Sequence, residues 1–97
     1  MHVWRYEIGT WIEEDVPIPE GQLFPEGFDR APFMSLGDTG PEAKGVGVAV
    51  HEATEGNSYL VTILAGEEAL DPVLASDFPS LIDLLAKLAP IVSAARE

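Results

Sequence analysis

Residues 76–97, SDFPSLIDLLAKLAPIVSAARE, constrain the fold more than any other stretch, because they carry a sustained helical period. Phe78, Leu81, Ile82, Leu85, Leu88, Ala89 and Val92 recur at i, i+3, i+4 and i+7, which predicts one apolar face on a helix. Asp77 stands where its carboxylate can accept from the free N–H groups of the first turn, and Pro79 falls where a missing N–H costs nothing. Asp83 and Lys87 form an i, i+4 pair that marks the wet side. Burying the predicted face against a sheet is worth on the order of 10 kcal/mol before entropy, so this helix needs a sheet to lie on. Leu84, Leu88 and Ile91, continued by Ala95, form a second apolar stripe wider than one sheet covers, and predict self-association. Pro90 removes the hydrogen bond to the Ala86 carbonyl and predicts a kink near residues 86–88.

Residues 2–13 alternate as one strand, with Trp4, Tyr6, Ile8 and Ile12 on the face meant for the helix. Val3, Arg5, Glu7, Trp11 and Glu13 fall on the other. Residues 14–43 lose all period: five prolines and four glycines interrupt them, and they read as one long loop. Leu23, Phe24, Phe28, Phe33, Met34 and Leu36 supply that loop with enough apolar surface to cap an open edge of the core. Residues 44–53 and 57–65 are β-rich runs around Thr54-Glu55-Gly56, the clearest hairpin signal in the chain. Gly45, Gly47 and Ala49 share one face of the first run, where small residues let a second layer, the helix, approach. Residues 72–75 can add a short edge strand. The expected fold is α+β: an antiparallel sheet of three or four strands with one long C-terminal helix on one face, a two-layer sandwich forming a single domain over residues 1–97.

The helix and sheet do not name a chemistry, so charge carries the functional argument. Seventeen acids against five bases give a net charge of −12, and no Lys or Arg occurs between residues 45 and 86. Such a surface repels phosphate backbones and attracts a basic protein; nucleic acid is excluded as a direct partner. The chain has no cysteine, which removes disulfides and thiolate metal sites. The start, MHVWRYEIG, lacks the apolar core of a signal peptide, and no run reaches the length of a membrane span, so a cytoplasmic location is expected.

Asp38-Thr39-Gly40 resembles the active-site triplet of aspartic proteases, whose retroviral members are short chains that dimerise to pair two carboxylates. Gly37 and Pro41 flank it where that family has an apolar strand and a small residue, and Asp, Thr and Gly are ordinary turn residues. His51-Glu52-Ala53-Thr54-Glu55 has Glu55 where a zinc motif needs its second His, and it lies in a strand. No serine elbow, phosphate loop or calcium-loop spacing occurs. The expectation is therefore no enzyme, no cofactor and no metal. The strand-then-helix cadence of residues 72–88 is also seen at the end of many small bacterial immunity domains, but it covers under a fifth of the chain and has no diagnostic residue, so it does not identify a family. The leading reading is a small acidic binding protein, an immunity protein or phage-type inhibitor that docks on a basic nucleic-acid enzyme or toxin through Glu13, Glu14, Asp15, Glu67, Glu68 and Asp71. The rival is a homo-oligomeric structural or accessory domain, for example a homodimer joined through Leu84, Leu88 and Ile91, whose acidity only keeps it soluble.

Overall fold

A computed structural model describes residues 2–18, 20, 21, 25, 27–37, 45–65 and 68–96. The alternating run at the start is a hairpin rather than one strand: β1 (His2–Glu7) turns through Ile8 and Gly9 into β2 (Thr10–Asp15). Gly9 takes a φ of +82°, a left-handed conformation that suits glycine at the turn and reverses the chain after two residues. Reversal also reassigns the faces. Trp11 pairs with Tyr6 and lies on its face, with ring centroids 4.6 Å apart, whereas Ile12 pairs with Arg5 and is exposed.

The long connection contains β3 (Met34–Gly37), and β4 (Val46–Glu52) and β5 (Tyr59–Ala65) form the expected hairpin. After β5 come β6 (Glu68–Ala69) and β7 (Val73–Ala75). The sheet has seven strands in the order β2-β1-β7-β5-β4-β3, with β6 paired to the far end of β5. It is mixed, since β1 and β7 run parallel while the other pairs are antiparallel. This corrects the three or four antiparallel strands expected. It also moves residues 73–75 from the edge to the middle: Val73, Leu74 and Ala75 are all buried, as a strand covered on both faces must be.

α1 (Phe78–Arg96) crosses one face. Asp77 caps it, its carboxylate accepting from the Ser80 backbone N–H at 2.8 Å, and hydrogen bonds from Ser80 hold that carboxylate below the usual range. Leu81, Leu84, Leu85 and Val92 are buried against Tyr6, Val48, Val50, Val61, Val73 and Ala75. The helix is therefore rotated from its predicted phase. Phe78 and Ile82 are half exposed, and Leu84, assigned by sequence to the outer stripe, is 1 % exposed inside the core. So much of this helix is apolar that its period allows several phases. The Tyr6 hydroxyl selects one by donating to Asp83, which also pairs with Lys87 at 3.6 Å. Leu88 is half-buried and Ile91 is 54 % exposed. Gly47 and Ala49 lie on the face away from the helix, because Val46, Val48 and Val50 occupy the helix side.

At the end of β3, Gly37 has a φ of +75°, and a Cβ there would collide with the Val46 carbonyl oxygen and stand 2.8 Å from Val92 Cγ1. Gly37→Ala should lower stability by roughly 2–5 kcal/mol, combining left-handed strain with overpacking against backbone. Gly9→Ala, with open space around it, should cost only about 1–2 kcal/mol. Denaturant midpoints of the two variants make this comparison. The helix phase has its own test: Leu84→Ala should cost about 2–5 kcal/mol and Ile91→Ala under about 0.5 kcal/mol. Equal losses in thermal unfolding would show that the phase is wrong.

Candidate functional site

Among the described residues, part of the connection lies against the sheet face opposite α1. His51 meets the Asp29 carbonyl oxygen through Nδ1 at 2.9 Å, Phe28 bridges to Ala53, and Pro25 is buried. This segment of the connection therefore lies over one side of the sheet. Beyond it opens a groove of about 420 Å³ walled by Leu60, Leu64, Leu70 and Pro72, with His2 and Asp71 among its lining residues. A smaller hollow under Pro32 is lined by Gly47, Ala49, Thr62 and Leu64, the small residues that sequence assigned to helix packing.

Topology brings two acidic runs to the end of the larger groove. Asp15 pairs with His2 and Glu13 with Trp4 across the β1–β2 ladder, and Trp4 pairs with Val73 on the other side. Asp71, two residues before Val73, is thereby placed beside the start of β1. His2 Nδ1 lies 3.0 Å from Asp71 Oδ2, and its Nε2 lies 3.9 Å from Glu13 Oε2. Asp71 is within hydrogen-bond distance of Nδ1, while Glu13 stands beyond hydrogen-bond reach of Nε2. The His2 ring also meets Trp4 edge-on at 5.5 Å.

Glu14 is placed differently from its neighbours. It accepts from Arg5 Nε at 2.7 Å and from a terminal nitrogen at 3.1 Å, a two-point pair across the hairpin. Arg5 also donates to Ser76 Oγ at 3.3 Å, and the Ser76 hydroxyl donates to Glu7 at 3.1 Å. The Arg5 hydrogen bond holds the Glu14 carboxyl below the ordinary range, and Glu14 in turn raises the Arg5 guanidinium. Its charge is thus compensated locally.

Of the acids singled out by sequence, Glu13 and Asp71 meet at His2, Asp15 and Glu68 are exposed on β2 and β6, and Glu14 joins the Arg5 pair. Glu67 lies outside the described residues, as do Leu23, Phe24 and the Asp38-Thr39-Gly40 triplet. Sequence reasoning missed His2, whose role depends on a contact 69 positions away. It also missed an aromatic row, in which exposed Phe33, half-buried Tyr59 and exposed Phe78 follow one another at 5.8 and 6.0 Å. Among the described residues no three His, Asp or Glu side chains are grouped to hold a metal, and no helix is long and apolar enough to cross a membrane. Comparisons of the chain with protein-family models, curated proteins and solved structures give no match.

The Arg5–Glu14 pair sets a pH dependence. A carboxyl whose folded pKa is depressed contributes stability that is present above its unfolded value and is lost as pH falls through the folded one. Glu14→Gln should therefore reduce stability at neutral pH by less than about 1 kcal/mol, since the pair is partly exposed, and flatten the decline below the unfolded carboxylate pKa of about 4.3. Denaturation midpoints across that acid range, compared with the parent, check both parts.

Proposed function

We propose that this chain is a small acidic, non-catalytic binding protein that docks on a basic surface, in the manner of an inhibitor or immunity-type protein on a nucleic-acid enzyme or toxin. The supporting observation is the meeting of Glu13 and Asp71 at His2, which gathers two distant acidic runs onto one rim beside an apolar groove. Carboxylates on such a rim would occupy the partner's phosphate-binding cleft, speed encounter and exclude nucleic acid. Glu13, Asp15, Glu68 and Asp71 carry this role, and Glu67 belongs to the same run. Glu14 contributes less, because Arg5 already holds it.

A second reading, a homo-oligomeric accessory domain, draws on a separate observation: Phe33, Phe78, Ile82 and Ile91 are each about half exposed, beyond what the helix and sheet bury. Ile91 and half-buried Leu88 are then the surviving members of the expected stripe, since Leu84 is inside the core.

Affinity capture from the source lysate, beside light scattering of the protein alone, separates the two. The docking reading expects one basic protein retained at 0.1 M salt, where the Debye length is about 10 Å, and released at 1 M, where it is about 3 Å. Retention should be lost in a Glu13→Gln, Glu68→Gln, Asp71→Asn variant. A dimer mass that falls to monomer in a Phe78→Ser, Ile82→Ser variant, with nothing basic retained, replaces docking by the second reading.

A further inference from the structure

The groove beside the acidic rim has the form of an anchor pocket, apolar along its walls and carboxylate at one end. Pro25, Leu64, Leu70 and Pro72 line it together with Asp71 and His2, and Glu13 lies 3.9 Å from the His2 ring. At about 420 Å³ it is in the lower part of the roughly 300–1,000 Å³ range of ligand-binding clefts, too large for a bound water and large enough for a long side chain with part of its neighbour. Asp71 offers His2 its Oδ2; among the described residues Oδ1 has no hydrogen-bond partner. Arg5, the nearest fixed cation along β1, is held by Glu14 and Ser76 and cannot neutralise this end. An apolar stem with a cationic head suits this lining, the head sharing Asp71 with His2.

We propose that the groove is the pocket for an arginine side chain of the basic partner, its methylenes lying on Leu64 and Leu70 and its guanidinium reaching Asp71 Oδ1. Arginine fits better than lysine, because its methylene stem packs on apolar walls while its weakly hydrated, planar head gives up water readily to meet a carboxylate. Buried arginine anchors framed by a polar rim are also where binding energy concentrates in protein interfaces. This proposal rests on the docking reading and specifies how that surface would recognise its partner.

The test is an NMR titration of the full chain with N-acetyl-arginine methylamide and, in parallel, with its neutral isostere N-acetyl-citrulline methylamide. The arginine probe should shift the signals of Leu60, Thr62, Leu64 and Leu70 and bind about tenfold more tightly than citrulline, the margin expected for one charge-assisted hydrogen bond. Asp71→Asn should bring the two probes level, and Leu64→Trp should block both. Asp71→Asn keeps the size of an exposed side chain, so it decides the matter even where Leu64→Trp fails to fold. Shifts confined to Glu13, Asp15 and Glu68, or equal affinity for the two probes, would overturn the pocket. Salt-sensitive capture of a basic protein with a silent groove would sink the pocket and leave docking intact. Arginine binding in the groove without such capture would sink docking and leave the pocket as an arginine site.

Discussion

Three residues hold the two halves of this protein together. Val73, Leu74 and Ala75 of β7 pair in parallel with Trp4, Arg5 and Tyr6 of β1 while pairing antiparallel with Tyr59, Leu60 and Val61 of β5. Hydrogen bonds at both ends extend the join, from the Trp4 N–H to the Pro72 carbonyl at 3.0 Å and from the Ser76 N–H to the Tyr6 carbonyl at 3.2 Å. Without β7 the N-terminal hairpin would be a two-stranded ribbon, marginal in water, and Tyr6 would have no core to enter. The position of the helix follows from the same strand. Ser76 and Asp77 turn the chain directly out of β7, so α1 must begin over Ala75 and Tyr59, and the Tyr6–Asp83 hydrogen bond then sets its rotation.

The location of the groove is a consequence of this arrangement. One helix can cover one face of a seven-stranded sheet, and the opposite face must find cover elsewhere. The proline-rich connection contributes there through the Asp29 carbonyl oxygen at His51 and through Pro25 and Pro32, which line hollows on that face. Pro25 of the same connection joins Leu64, Leu70 and Pro72 around the groove near the β6–β7 end. The β6–β7 junction and the start of β1 are also where the two acidic runs meet. An apolar hollow and a carboxylate rim are therefore adjacent because the same strand pairing produces both.

Local signals were legible and long-range ones were not. The β4–β5 hairpin, the helix and its Asp77 cap were readable because each is decided within a few residues, by β-branched alternation, by period and by one carboxylate. The turn at Ile8-Gly9 escaped because the apolar alternation runs on into β2, and only Gly9 marks the reversal. Strand β3 is four residues long, too short for a period to stand out among prolines and glycines. The central place of Val73–Ala75 depends on pairing with residues about seventy positions earlier, and nothing in an apolar tripeptide separates an edge strand from a buried one. For the site, the acids were visible as composition, whereas the joining of Glu13 to Asp71 through His2 required the same distant pairing.

The placement of the few cations completes the argument. With a net charge of −12, self-repulsion opposes compaction, so each positive group acts where it sits. Arg5 is committed to Glu14 and Ser76, Lys87 to Asp83, and His2 to Asp71. The Arg5 and His2 contacts tie β1 to its neighbours, and Lys87 supports the helix contact that fixes Tyr6. Among the described residues, Arg5 and Lys87 are thus engaged internally, Arg5 in joining the N-terminal hairpin to the rest of the fold. Carboxylates such as Glu68, Asp15 and Glu13 are left exposed at the end where β1 and β7 meet, and a fold stabilised in this way carries an electrostatic demand that a basic partner would meet.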